Sequence, residues 1–233
     1  MSLVPAHRLI QGDLIVEGRL VDASNATLFA KVSSNDFEDI AVVYKPIAGE
    51  RPLWDFPDGN LASREVASFL ISEAGGFDCV PTTVMRDGPF GMGAVQQWID
   101  ADDSIDFIEL GQSDEPAVRN LALFDVVVNN TDRKFGHILP ISRSEVFGCD
   151  HGVTLHEDFK LRTVIWQFSS QTLSESEREK LARVRNFLLS NARLNDLITE
   201  NEIAAIQERI ASLESNGFPE PSDQWPAVPW PPV

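Results

Sequence analysis

Asp125-Val126-Val127-Val128-Asn129-Asn130-Thr131-Asp132-Arg133-Lys134-Phe135-Gly136-His137, followed by Asp150-His151-Gly152, decides how this chain folds. The apolar run up to Val128 reads as a helix that ends in a polar loop. Ile138 to Ile141 and Val146 to Cys149 then read as the two strands of a short hairpin. A hairpin brings its ends together, so Asp132, His137 and Asp150 can converge on one spot. Phosphoryl transfer needs such a set: one carboxylate at the nucleophile, and further ligands that hold a metal on the phosphates.

Outward from this stretch, the first hundred residues alternate in the manner of strands. Residues 13 to 22 and Thr27 to Ser33 read as a hairpin around the turn residues Ala23-Ser24-Asn25-Ala26. Ile40 to Tyr44 forms a third strand, ended by Lys45-Pro46. Residues 46 to 60 hold three prolines and two glycines and read as a loop. Leu61 to Ala74 is a helix stopped by Gly75-Gly76. Val80 to Arg86 and Gly93 to Ile99 are two further strands around the turn at 87 to 91.

Beyond residue 100 the pattern turns helical. Helices are expected over Glu115 to Asn129, Ser174 to Ser190, Asn195 to Ile198 and Asn201 to Ser215, with Glu175, Glu177 and Glu200 near their N-termini as the helix dipole favours. From Gly217 on, six prolines and two tryptophans exclude helix and central strand. An extended tail packed on the body is expected. The resulting division is a β-rich lobe over 1–100, a helical lobe over 101–216 and a tail over 217–233. The fold class is α+β, a bilobal protein-kinase-like fold with its acids at the junction.

Bulk composition narrows the function. The formal net charge is −17, which repels nucleic acid and anionic lipid. No apolar run reaches the eighteen residues of a membrane span, and residues 1 to 13 lack a signal-peptide pattern. Cys79 and Cys149 show no metal or redox spacing, so two reduced thiols and a cytoplasmic location are the expectation. No nucleic-acid partner and no stable membrane association are expected.

Four places carry a resemblance to kinases. Val42-Val43-Tyr44-Lys45 ends the third strand with a lysine, and Arg64-Glu65 lies on the following helix, where a glutamate would pair with that lysine. Asp132 and His137 are spaced like the Asp and Asn of a kinase catalytic loop, and Asp150-His151-Gly152 looks like a variant of Asp-Phe-Gly. More closely, Asn130-Thr131-Asp132-Arg133 and Tyr44-Lys45-Pro46 resemble the phosphatidylinositol 3-/4-kinase-like superfamily, which includes the HipA-type bacterial kinases. Ala41 to Pro46, Gly49 to Pro57 and Pro229-Trp230-Pro231-Pro232 resemble a small actinobacterial branch of it.

The resemblance implies an ATP-dependent phosphotransferase using Mg²⁺ or Mn²⁺, with an unknown protein hydroxyl or small molecule as acceptor. It implies Asp132 and Arg133 as catalytic residues and His137 and Asp150 as metal ligands. Lys45 and Glu65 would serve the nucleotide phosphates, and Gln97 and Trp98 would lie at the inter-lobe hinge. A glycine-rich phosphate loop is missing, so Ser24, Asn25 and Thr27 would bind phosphates through hydroxyls and backbone amides. His137 stands where asparagine is usual. A free imidazole titrates near ~6.5, so metal dependence is expected to weaken around that pH. A nucleotide-binding pseudokinase or scaffold, and a nucleotidyl transferase built from the same parts, remain open alternatives. Asp125 is expected to support the loop by hydrogen bonds.

Overall fold

A computed structural model describes residues 3–20, 25–51, 53–190 and 192–233. The chain opens with a short helix α1 (Ala6–Gln11), then β1 (Asp13–Arg19), β2 (Leu28–Ser34) and β3 (Phe37–Pro46). Helix α2 (Leu61–Gly75) follows, then β4 (Thr83–Gly88) and β5 (Gly91–Gln97). The five strands form one antiparallel sheet in the order β1-β2-β3-β5-β4. The remainder holds α3 (Phe107–Gly111), α4 (Pro116–Val128), the hairpin β6 (Ile138–Ser142) and β7 (Glu145–Gly148), α5 (Glu175–Ser190), α6 (Ala192–Asn195) and α7 (Glu200–Asn216). The fold is thus an antiparallel sheet lobe followed by a mainly helical part.

The two-residue period of the sheet decides where Lys45 points. Leu28, Ala30 and Val32 of β2 and Val42 and Tyr44 of β3 share one buried cluster with Leu9 of α1. Lys45 follows Tyr44 and therefore faces the opposite side of the sheet. Its register partner Ala94 belongs to the larger core, where Val66, Phe69 and Ile71 of α2 meet Leu121 and Phe124 of α4. Helix α2 therefore packs into the helical part as well as the sheet. The first hundred residues thus hold a small core on one face of the sheet and share the larger core on the other face with the helical part.

Capping chemistry sets the ends of α2. Asn60 accepts from the Ser63 amide (2.7 Å), and both carboxylate oxygens of Glu50 accept from the Leu61 and Ala62 amides (2.9 and 2.8 Å). Gly76 ends the helix in the left-handed region at φ 68°.

Several expectations shift. The helix expected over Asn195 to Ile198 is instead α6, ending at Asn195, because Thr199 caps α7 in a reciprocal capping box with Glu202. Helices α1 and α3 were not expected; each is short and too brief to show periodicity. The tail runs over the body. Ala227 O accepts from Thr163 N and Trp166 Nε1 (both 3.0 Å), and Pro232 O accepts from Phe135 N (2.9 Å).

Candidate active site

Helix α4 delivers the central loop. It begins with Pro116 and ends at Asn129, which adopts the left-handed conformation (φ 53°) that asparagine tolerates. The Asn129 side chain then ties the loop down. Its amide donates to His156 O and Asp158 O (3.1 and 2.7 Å), and its oxygen accepts from Lys160 N (2.9 Å). Asn130 donates to Asp125 Oδ1 (3.0 Å) and accepts from the Asp132 amide (3.0 Å). Asp132 is thereby placed at the mouth of the cleft rather than left on a mobile loop.

The hairpin closes the site as the spacing predicts. One ligand atom from each of Asp132, His137 and Asp150 lies within 4.8 Å of the other two. His137 Nε2 is 3.5 Å from Asp150 Oδ2. Asp150 itself has φ 60°, a left-handed conformation rare for a non-glycine residue and concentrated at functional sites. Lys45 Nζ donates to Asp150 Oδ1 (2.9 Å) and to Glu65 Oε1. The other Glu65 oxygen accepts from the His151 amide (3.1 Å), so Glu65 holds both the lysine and the backbone beside Asp150.

These groups line a cavity of about 170 Å³ together with Asn25, Thr27, Glu50 and Lys134. Ser24 lies outside the described residues. Asn25 and Thr27 reach the cavity as expected, although Asn25 Oδ1 already accepts from the Arg51 amide (3.0 Å).

Electrostatics divide the acids. Lys45 draws Asp150 well below the usual carboxylate range, and burial opposes it without prevailing. Burial works against the Lys45 ammonium, yet Asp150 and Glu65 raise its pKa above the usual value. Burial raises Asp132, with Lys134 pulling the other way from 3.6 Å. Burial lowers His137 to about 4, and Arg133, Lys134 and Lys45 add to the effect against the pull of Asp150. The imidazole is therefore neutral at physiological pH, not half-titrated near 6.5 as a free ring would be.

The two carboxylates suit a Mn²⁺ or Mg²⁺ ion, and the neutral imidazole is a less ideal ligand for either than an oxygen. The three residues could hold such an ion.

One sequence expectation is corrected here. Arg133, expected among the catalytic groups, is fully buried. It donates to both oxygens of Asp125 (2.9 Å each) and to Cys149 O (2.9 Å), and Nη2 lies 2.7 Å from His151 Nε2. A guanidinium only donates, so His151 Nε2 is the acceptor and its ring proton sits on Nδ1. Arg133 positions the loop and does not face the cavity. Gln97 and Trp98 lie where the hinge was expected, at the end of β5 ahead of the helical part, and they do not line this cavity. Their amides are bonded to Thr82 O and Ala41 O (2.8 and 2.9 Å), the Gln97 side chain accepts from Val4 N, and Trp98 packs edge-on against Phe29.

Glu50 and Lys134 are cavity residues that the sequence reading passed over as site groups. Glu50 could have been found as an acid in a Pro/Gly loop shortly ahead of a helix N-terminus.

A β lobe, a helical part and this Lys–Glu–Asp cleft between them define a kinase-like fold. The chain belongs to the family of Protein Rv2133c of Mycobacterium tuberculosis (strain ATCC 25618 / H37Rv). The two are 37% identical, over 96% of this chain and 93% of that protein. No protein-family model matches. Among solved structures, the Golgi casein kinase superposes with a TM-score of 0.56 at 14% identity, covering 91% of this chain and 74% of that one. Hydra Fam20, solved with sugar, gives 0.53 at 12%, covering 91% and 86%. The Golgi casein kinase with Mn/ADP bound gives 0.50 at 13%, covering 91% and 74%. At such identities the likeness speaks for the fold.

Proposed function

We propose that this chain is a metal-dependent phosphotransferase that uses ATP and passes a phosphoryl group to the hydroxyl of a protein or small molecule. The observation that carries the reading is the meeting of Asp132, His137 and Asp150 within 4.8 Å, beside a Lys45 shared by Glu65 and Asp150. The resemblance to the phosphatidylinositol 3-/4-kinase-like and HipA-type superfamily, and the Mn/ADP bound by the Golgi casein kinase, both support it.

Each residue has a task in this reading. Lys45 orients the nucleotide phosphates, and Glu65 holds it in place. Asn25 and Thr27 line the same space. A divalent ion on Asp150 and His137 would neutralise phosphate charge. Asp132 accepts the proton of the incoming hydroxyl. Its raised pKa suits that task, since a base works best near the operating pH. Arg133 keeps the loop and the Asp150 segment together.

A nucleotide-binding pseudokinase is the second reading, favoured by His137 at the metal position and by a cavity of about 170 Å³, small for a whole nucleotide. Melting curves with ATP, Mn²⁺ or both, followed by turnover assays, separate the two. The phosphotransferase reading expects a rise in Tm that needs both ligands, and turnover. Stabilisation without turnover supports the pseudokinase. No stabilisation under any condition contradicts both. Release of label from the α- rather than the γ-phosphate would instead indicate nucleotidyl transfer.

A further inference from the structure

The cavity in the cleft measures about 170 Å³, below the ~300 Å³ at which ligand pockets usually begin. The segment Gly49-Glu50-Arg51 is tied to its lining by four hydrogen bonds. Glu50 accepts from the Leu61 and Ala62 amides (2.9 and 2.8 Å). Gly49 O accepts from the Ala26 amide (3.2 Å), and the Arg51 amide donates to Asn25 Oδ1 (3.0 Å). All four partners, Asn25, Ala26, Leu61 and Ala62, line the cavity. Three of them offer main-chain amides that a phosphate could take, two of these at the start of α2, where the helix favours negative charge. The chain's own carboxylate and carbonyl now fill them.

Charge also opposes a polyphosphate in this state. Four carboxylates line the cavity, Glu50, Glu65, Asp132 and Asp150, against the two ammonium groups of Lys45 and Lys134. Burial keeps His137 neutral. A divalent ion would cancel the excess of two negative charges, and withdrawal of Glu50 would then leave the lining positive, with three amides free. Gly49, Glu50 and Arg51 belong to neither hydrophobic core, so their release costs hydrogen bonds and little apolar burial.

We propose that Gly49-Glu50-Arg51 is an autoinhibitory strap: Glu50 stands in for a nucleotide phosphate on the α2 amides and leaves when a nucleotide enters with its divalent ion. This regulation of the cleft rests on the nucleotide binding proposed above.

Calorimetric titration of the full chain with ADP and Mn²⁺ tests the proposal, and with ADP the outcome does not depend on whether a phosphoryl group moves. Glu50→Gln removes the charge and one of the two acceptors. It should bind ADP–Mn²⁺ about tenfold more tightly, the weight of a charged hydrogen bond lost from the competing closed state. Its Tm without ligand should fall, because the cap of α2 is weakened. A cap without a gating role predicts the lower Tm with unchanged or weaker binding. Gly49→Ala serves beside it and leaves Glu50 and α2 untouched. A Cβ at position 49 would collide with the Ala26 Cβ and push the strap off the turn, so this variant should bind more tightly too. In the wild type, hydrogen exchange at the Arg51 amide should speed up by about tenfold on saturation with ADP–Mn²⁺, while the Leu61 and Ala62 amides stay protected. Unchanged or weaker binding in both folded variants, or an Arg51 amide equally protected with and without nucleotide, would overturn the strap alone. Absence of ADP–Mn²⁺ binding in the wild type and both variants would overturn the strap and the nucleotide reading together.

Discussion

Arg133 and Asp125 meet through two hydrogen bonds of 2.9 Å, Nε to Oδ2 and Nη2 to Oδ1, with both side chains fully buried. The pair joins helix α4 to the loop that carries Asp132. Through Cys149 O and His151 it also reaches the segment that carries Asp150. The two segments that carry the acids of the cleft thus share one buried support.

Breaking that support leaves a charge buried alone. Arg133→Met should lower stability by about 3–5 kcal/mol, since the Asp125 carboxylate loses its partner. Arg133→Lys should restore only part, because an ammonium cannot match the two-pronged fork. Urea unfolding measures both. A fully stable Arg133→Lys would argue that the fork geometry is irrelevant.

Asp132→Asn keeps the shape of the side chain and removes its basicity. Turnover should fall by about 10²–10⁴, roughly 3–5.5 kcal/mol of barrier, with ATP affinity nearly unchanged. Steady-state kinetics alongside nucleotide titration reads both quantities. Full activity in the variant would remove Asp132 from the chemistry.

His137 gives a pH prediction. Its folded pKa, about 4, lies below the unfolded value of ~6.5. The folded state therefore prefers the neutral ring. That preference is fully present above about pH 6.5 and is lost as pH falls toward 4, by on the order of 3 kcal/mol. His137→Asn should flatten this limb of the stability–pH curve. Binding of Mn²⁺, followed by electron paramagnetic resonance, should persist below pH 6 rather than fade near 6.5. Fading at 6.5 would mean that the ring is solvated as in a free peptide.

The tail can be tested by removal. Deleting residues 225–233 takes away the acceptors of Thr163 N, Trp166 Nε1 and Phe135 N. At about 1 kcal/mol per hydrogen bond, stability should drop by roughly 3 kcal/mol. Phe135 lies two residues from His137, so Mn²⁺ affinity should drop too. An unchanged melting curve would show the tail to be a passive cover.

Much of the fold was legible because short-range rules governed it. Alternation marked β2 and β3, Gly76 marked the end of α2, and the hairpin spacing joined His137 to Asp150. Lys45 and Glu65 were readable as a pair because one ends a strand and the other lies on the next helix. Arg133 was misread because an arginine in a polar loop looks solvated or catalytic. The clue was Asp125, an acid in an otherwise apolar helix, which needs a buried cation. Gln97 and Trp98 end β5 at the junction expected of them, but their amides bond neighbouring backbone, which sequence spacing does not reveal. The contacts of Gly49 and Arg51 with Ala26 and Asn25 join two loops that meet only in space, and no local pattern announces them.

The central claim is phosphoryl transfer at a metal held by Asp150 and His137. Incubating the protein with γ-labelled ATP and Mn²⁺, beside Asp150→Asn, tests it most directly. The account predicts loss of the γ-phosphate to an acceptor or to water in the wild type, and none above background in folded Asp150→Asn. Equal turnover in the two proteins, or an intact γ-phosphate in the wild type with every divalent metal tried, would contradict it.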